Sequence, residues 1–200
     1  MARDPGADVR GEEVQEAAGA LCRGARTSGC QVARHIRRDF GAGLMSTYNE
    51  GDAFPDFSMA TPDGGTVTKA DLAGKKAVIF FYPKDNTPGC TTEAKDFTAL
   101  KSEFEKAGTY LLGVSKDSAK KHQNFIAKHD LTVDLATDAE ENGLSDELGA
   151  WGEKKNYGRT YMGMIRSTYL LDEDGKILRI WPKVRVKGHA EEVLEAARTA

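Results

Sequence analysis

Apolar runs and amphipathic stretches alternate along the chain from residue 55 onwards. The run KAVIFFYP at 76–83 is apolar and rich in β-branched and aromatic residues, which is typical of a strand buried on both faces of a sheet. Residues 91–106 follow with an apolar stripe at helical spacing, and TYLLGVS at 109–115 is a second buried strand. The stripe consists of Ala94, Phe97, Leu100 and Phe104. A strand, a helix and a strand in this order predict two parallel strands joined by a right-handed crossover.

Shorter patterns extend this unit at both ends. The segment 57–69 contains Asp63-Gly64-Gly65, whose tolerance of positive φ predicts an N-terminal hairpin. Helical patterns occupy 118–130 and 189–200, and two strands are expected on either side of the turn DEDGK, at 167–172 and 176–181. The predicted fold class is therefore α/β, with a central mixed β-sheet that has helices on both faces.

The segment WGEKKNYGR, residues 151–159, lacks a clear hydrophobic period. We expect a loop with a solvated basic face. Tyr157 and the nearby Tyr161 either line a pocket or pack into the core.

The composition changes near residue 45. Residues 1–44 contain seven arginines and no lysine, whereas residues 45–200 contain sixteen lysines and five arginines. Six acidic residues and the absence of a long apolar run in the first part argue against a transit peptide or a secretory signal. We expect residues 1–44 to be a disordered or weakly helical extension, or a stretch upstream of a start at Met45, and residues 45–200 to form the folded domain.

The charge and the cysteine content narrow the classes of function. A formal net charge of −3 offers no basic field to a nucleic acid or an anionic membrane, and no apolar run approaches the roughly 20 residues of a membrane-spanning helix. Three cysteines, Cys22, Cys30 and Cys90, do not form the even-numbered framework of a secreted disulfide-rich protein. We expect a reducing compartment, the cytoplasm, and a free thiol at Cys90.

The loop PKDNTPGC, residues 83–90, follows the first buried strand. In such a sheet, the loop after a central strand leads to the crevice where ligands bind. Thr87 suits the N-cap and Pro88 the first helical position, so Cys90 falls in the first turn, where free N–H groups and the helix dipole favour an anion. Cys90 is thus a candidate reactive thiolate, and the alternative is an unreactive buried cysteine in a capped helix.

The segment FYPKDNTPGCTTEAKDF, residues 81–97, resembles the active-site segment of the peroxiredoxins, whose hallmark is Pro, three residues, Thr, two residues and Cys. The runs WGEKKNYGRTYMGMIRSTYLLDEDGKI and KVRVKGHAEEVL resemble the bacterioferritin comigratory protein branch, also called peroxiredoxin Q. The resemblance covers about residues 50–198. It implies a thioredoxin-like fold and a peroxidase that reduces hydrogen peroxide and organic hydroperoxides. No metal or organic cofactor is expected, and the branch suggests a monomer or weak dimer.

The resemblance also implies roles for four residues. Cys90 is the peroxidatic cysteine, Thr87 binds the peroxide through its hydroxyl, Pro83 shields the site and Arg166 is the active-site arginine. Charge develops on the departing oxygen when a thiolate attacks an O–O bond, so a fixed cation and a hydroxyl suit this step. Glu93 either aims the guanidinium of Arg166 or is merely a favourable first-turn carboxylate. The alternative for Arg166 is a surface ion pair.

Many members of this branch carry a second, resolving cysteine five residues after the first, and this sequence has Lys95 there. Five residues of helix rise about 7.5 Å, so members that use that pair must unwind the helix to close a disulfide. We therefore predict a one-cysteine mechanism in which thioredoxin, glutaredoxin or a small thiol reduces the Cys90 sulfenic acid. Cys22 and Cys30 remain open as alternative resolving thiols.

Other chemistry has weaker support. His122 and His129 are seven residues apart on a polar helical pattern without a set of metal ligands, which favours solvated surface over a zinc site. A cysteine hydrolase would need a histidine base beside Cys90, and His189 stays open as that base. The alternative from another class is a thioredoxin-fold binding or holdase module in which Cys90 only senses oxidants.

Overall fold

The computed structural model describes residues 48–139, 143–156 and 158–200. The predicted extension at 1–44, with Cys22 and Cys30, lies outside the described residues, as does Tyr157. Among the described helices, none has both the length and the apolar composition that crossing a membrane requires.

The helices and strands follow the predicted order with five additions. The described strands are β1 (Ser58–Ala60), β2 (Thr66–Thr68), β3 (Lys76–Phe81), β4 (Thr109–Ser115), β5 (Asp134–Thr137), β6 (Trp151–Asn156), β7 (Arg159–Met164), β8 (Ser167–Leu171) and β9 (Ile177–Trp181). The described helices are α1 (Pro88–Lys106), α2 (Ala119–His129), α3 (Leu144–Glu147) and α4 (His189–Thr199), with a short 3₁₀ helix at Lys69–Leu72. The sequence patterns did not indicate β5, α3 or the 3₁₀ helix, which are short, nor the strands β6 and β7.

Seven of these strands form one mixed sheet in the order β2-β1-β5-β4-β3-β8-β9. Strands β3 and β4 are parallel along their lengths, from Lys76 opposite Thr109 to Phe81 opposite Val114, so the predicted crossover through α1 is confirmed. Strand β5 is parallel to β4, whereas β8 is antiparallel to β3 and β9 to β8. The mixed sheet places β3, the strand that leads to Cys90, near its centre.

The N-terminal hairpin pairs Ser58 with Thr68 and Ala60 with Thr66. Gly64 has a φ of +88°, so the glycine supplies the left-handed residue that the turn needs. Strand β1 joins the sheet through one pairing with β5, between Ala60 and Thr137.

Side chains of β3 alternate between two apolar clusters on opposite faces of the sheet. Ile79 and Phe81 pack on one face with α3, and Val78 and Phe80 pack on the other with α1, α2 and α4. Phe97 of α1 stacks on Phe80 with ring centroids 4.5 Å apart. Helices lie on both faces as expected, but the three long helices share one face, and that face contains Cys90.

The prediction of a loop at 151–159 was wrong. Strand β6 pairs with β7 as an antiparallel ribbon, from Trp151 opposite Met164 to Asn156 opposite Arg159. Because this ribbon stands outside the main sheet and buries little on either face, its sequence does not alternate between apolar and polar residues. Tyr161 is 48% exposed on this ribbon, which rules out core packing.

Candidate active site

Helix α1 begins at Pro88 with Thr87 at the N-cap, as predicted. The Thr87 hydroxyl does not cap a helix N–H and instead donates to the carbonyl oxygen of Lys84, at 3.0 Å. The Thr87 carbonyl accepts the hydrogen bond from the Thr91 N–H at 2.9 Å, which closes the first helical turn. Pro83 is half-buried at the start of this loop.

Cys90 is the third residue of α1, and its side chain is only 2% exposed. It is a free thiol. Arg166 Nη2 lies 3.1 Å from Cys90 Sγ and donates to it. The guanidinium always carries a positive charge, so a fixed cation lies beside the sulfur.

The backbone on both sides of Arg166 is fixed by hydrogen bonds. The Ile165 N–H donates to the Ala150 carbonyl at 2.6 Å, and the Arg166 carbonyl accepts from the Val184 N–H at 2.9 Å. These contacts hold the short link between β7 and β8 against two separate segments. The guanidinium can therefore meet α1 although 76 residues separate Arg166 from Cys90.

Glu93 completes the set on the same face of α1. Its side chain is buried, and one carboxylate oxygen accepts a close hydrogen bond from Arg166 Nη1. Burial raises the pKa of Glu93 to about 7, and the charge of Arg166 opposes that rise. The two Nη atoms of one guanidinium thus hold the sulfur and the carboxylate together.

The structure brings three of the five predicted site residues into direct contact: Cys90, Glu93 and Arg166. Pro83 and Thr87 lie on the loop that leads into α1. A further residue, Lys154 of β6, lies near this group: burial lowers its pKa, the charge of Arg166 adds to the decrease, and Cys90 opposes it. Its Nζ donates to the Met164 carbonyl at 2.5 Å. Because 151–159 was expected to be a solvated loop, no sequence pattern indicated Lys154 as a site residue.

The histidines differ from their expected roles. His122 is fully buried rather than solvated, since its helix packs this side against the loop before Cys90. His189, the candidate base of a hydrolase, places Nε2 2.8 Å from the Thr168 hydroxyl and packs edge-on against Phe97. Burial lowers the pKa of His189 to about 4, so its ring is neutral near pH 7.

A mixed sheet flanked by helices carries a buried cysteine at the start of the helix that follows a central strand, and an arginine faces this cysteine. This arrangement is that of a thioredoxin-like protein with a redox-active thiol. The model of the AhpC/TSA family matches residues 51–180. The chain belongs to the AhpC/TSA family, and it is a peroxiredoxin, a thiol-dependent peroxidase.

Individual relatives agree with this assignment. Peroxiredoxin Bcp of Bacillus subtilis is 42% identical over 152 residues, which cover 76% of this chain and 96% of the relative. Peroxiredoxin Bcp of Xanthomonas campestris is 46% identical over 143 residues, covering 72% and 89%. A solved structure of Xanthomonas campestris peroxiredoxin Q superposes with a TM-score of 0.70 at 43% identity and covers 77% of this chain and 97% of its own. The thioredoxin-like fold and the peroxiredoxin Q resemblance are thereby confirmed.

Proposed function

We propose that Cys90 is the peroxidatic cysteine of a one-cysteine peroxiredoxin and that an external thiol restores it after each turnover. One observation carries this proposal: Cys90 Sγ accepts a hydrogen bond from Arg166 Nη2 at 3.1 Å in the first turn of α1. The helix N-terminus and the guanidinium both stabilise negative charge on this sulfur.

The first chemical step transfers one oxygen atom to sulfur. The Cys90 thiolate attacks one peroxide oxygen, an S–O bond forms and the O–O bond breaks, so sulfur is oxidised to a sulfenic acid. The departing oxygen leaves as hydroxide or alkoxide and takes a proton, giving water or an alcohol. Arg166 is placed to stabilise the charge that develops during this transfer.

The remaining residues of the site have supporting roles in this proposal. Thr87 orients the peroxide through its hydroxyl, which can both donate and accept a hydrogen bond. Pro83 limits the access of water to the sulfur. Glu93 aims the guanidinium, and its contact with Arg166 Nη1 supports this role over that of a first-turn carboxylate.

The second half of the cycle needs two thiol equivalents. A first thiol attacks the sulfenic acid, releases water and forms a mixed disulfide with Cys90. A second thiol, on the same reductant or another molecule, attacks this disulfide and frees the Cys90 thiol. Lys95 occupies the position of a resolving cysteine, which supports an external reductant, and α1 is continuous there. A dithiol such as thioredoxin or glutaredoxin, or a small thiol, fits this need.

The substrates, the compartment and the oligomeric state are also part of the proposed function. A Xanthomonas campestris bacterioferritin comigratory protein that covers 78% of this chain, at a TM-score of 0.69, has been studied for alkyl peroxide reduction, which supports organic hydroperoxides as substrates besides hydrogen peroxide. A supply of reduced thiols implies a reducing compartment such as the cytoplasm. We propose a monomer or weak dimer as the working form.

The test is intact mass after one equivalent of hydrogen peroxide, with and without dimedone, on the full chain. We expect a single dimedone adduct on Cys90, and Cys90→Ser should lose both the adduct and peroxide turnover. A loss of two mass units with no adduct would instead assign the resolving thiol to Cys22 or Cys30. If wild-type protein does not react, the peroxidase assignment to Cys90 fails and the holdase alternative, in which client binding survives Cys90→Ser, gains support.

A further inference from the structure

The loop between β3 and α1 contains one buried carboxylate among exposed neighbours. Asp85 is 6% exposed, whereas Lys84 and Asn86 on either side are exposed. A carboxylate removed from water requires partners that replace its hydration. The partners of Asp85 therefore define what holds this loop in place.

Three groups contact Asp85 from the body of the fold. The Tyr82 hydroxyl donates to Oδ1 at 2.8 Å, and His122 Nδ1 lies 2.8 Å from Oδ2. The backbone N–H of Asp85 donates to Asp117 Oδ2 at 2.7 Å. Burial and the charge of Asp85 raise the pKa of Tyr82 far above its ordinary value, so Tyr82 keeps the proton that it donates.

The groups that receive the loop are themselves fixed. His122 is fully buried on α2, and Asp117 is held by Lys121 Nζ at 2.9 Å and through its own N–H by the Ser115 hydroxyl at 3.0 Å. One turn of α2 beyond Phe125, His129 Nε2 lies 3.1 Å from the Asn86 side-chain oxygen. Asn86 has a φ of +58°, an uncommon backbone conformation that these contacts on both sides help to maintain.

The loop fastened in this way carries Thr87. The Thr87 hydroxyl donates to the carbonyl of Lys84, the residue before Asp85, so a shift of Asp85 would move the hydroxyl as well. Cys90 and Arg166 are held by other contacts, namely those of α1 and of the link between β7 and β8. A change at Asp85 should therefore affect the peroxide-orienting hydroxyl more than the thiolate.

We propose that Asp85 and His122 are positioning residues that hold the peroxide-binding loop, and with it Thr87, in register with Cys90. The proposal rests on the proposed function, since it concerns the orientation of the peroxide. In this proposal, neither Asp85 nor His122 contacts the reacting atoms. Their role is to keep the Thr87 hydroxyl at the correct distance from the peroxide bound at Cys90. A misplacement of about 1 Å costs on the order of 100-fold in rate.

The test compares two reactions of the same sulfur. Oxidation of Cys90 by hydrogen peroxide needs an oriented peroxide, whereas alkylation by iodoacetamide needs only an accessible thiolate. Both rate constants are measured on the full chain in a Cys22→Ser, Cys30→Ser background, so that Cys90 alone reacts. We expect Asp85→Asn to slow oxidation by roughly 10- to 100-fold and to leave alkylation within about twofold.

Asp138→Asn is the matched control. Asp138 is also a buried carboxylate, 3% exposed, but it accepts hydrogen bonds from the N–H groups of Leu144 and Ser145 at the start of α3. We expect neither rate constant to change in this variant. Equal slowing in Asp85→Asn and Asp138→Asn would overturn the proposal, because it would indicate general destabilisation.

A double-mutant cycle with Thr87→Val tests whether Asp85 acts through Thr87. If it does, the combined variant should be oxidised no more slowly than the slower single variant. If the reductions in rate of the two single variants multiply in the combined variant, the proposal is overturned. If Asp85→Asn does not fold, the pair His122→Asn and His122→Phe decides. His122→Asn keeps a polar side chain beside Asp85 and should retain the oxidation rate, whereas the apolar ring of His122→Phe should reduce it.

The proposed function and this inference can fail separately. Wild-type protein that does not react with peroxide would end the proposed function. Rapid oxidation in wild type together with unchanged oxidation in Asp85→Asn and His122→Phe would overturn only the positioning role.

Discussion

At the scale of single residues, the candidate active site is built around one guanidinium that contacts two side chains of α1. Arg166 uses Nη2 for the Cys90 sulfur and Nη1 for the Glu93 carboxylate. A planar fork with fixed donors suits this double contact, whereas a lysine would present a single point charge. In the proposed function, Glu93 influences the sulfur indirectly, through the orientation of Arg166.

The first prediction concerns the pH dependence of stability that Glu93 introduces. Its pKa is near 7 in the folded protein and near 4.5 in the unfolded chain, so between these values the folded state binds more protons. The stability from this group is thus complete below pH 4.5 and is lost as pH rises through 7. Relative to Glu93→Gln, the wild type should lose about 2 kcal/mol of unfolding free energy between pH 5 and 7.

Urea unfolding at pH 5, 6 and 7 measures this difference. Glu105→Gln, on the exposed side of the same helix, controls for the loss of a carboxylate. A constant difference between wild type and Glu93→Gln across the three pH values would mean that Glu93 stays ionised throughout.

At the scale of secondary-structure elements, helix α1 positions the thiol because its apolar stripe is anchored in the core. Phe97 is fully buried, stacks on Phe80 of β3 and touches Phe104 and His189. Phe97→Ala should reduce the unfolding free energy by about 3–5 kcal/mol, since the lost contacts leave a cavity that the sheet cannot fill.

Denaturant unfolding tests this, with the exposed Ser102→Ala on the same helix as control. The control should change stability by less than about 0.5 kcal/mol. A loss below about 1 kcal/mol in Phe97→Ala would contradict a helix anchored by this stripe.

The elements that the sequence predicted well are those whose burial leaves a clear pattern of apolar residues. The interiors of strands β3 and β4 are continuous apolar runs, and α1 repeats its apolar residues every three or four positions. The β6–β7 ribbon buries little and has no such period. His122 was misjudged for a related reason: α2 is mostly polar, and the partner that buries this ring, Asp85, lies 37 residues earlier.

In the active site too, some contacts can be predicted from local sequence and others cannot. The N-cap at Thr87 and the first-turn position of Cys90 follow from local rules, and the structure agrees with both. The position of Arg166 beside Cys90 does not follow from local rules, because it depends on the antiparallel pairing of β8 with β3 and on the link before β8. Only the family resemblance indicated Arg166 in advance.

At the scale of the whole molecule, the described residues contain the core of the fold and the candidate active site. Both apolar clusters, the full mixed sheet and the contacts of Cys90, Glu93 and Arg166 lie between residues 48 and 200. The family match, residues 51–180, falls within the same range. These facts support the prediction that residues 45–200 form the catalytic domain.

Protein that begins at Met45 should therefore match the full chain in two measurements. Its midpoint in urea should be the same within error, and its rate constant for Cys90 oxidation by hydrogen peroxide should agree within about twofold, the small difference expected if residues 1–44 do not interact with the site. Stopped-flow measurement on the two forms provides the rate constants, and full-length Cys22→Ser, Cys30→Ser separates the effect of the thiols from that of the segment. If the shorter form accumulates sulfenic acid while the full chain forms a disulfide that the double serine variant lacks, residues 1–44 supply the resolving thiol. A lower urea midpoint for the shorter form would instead assign residues 1–44 a part in stability.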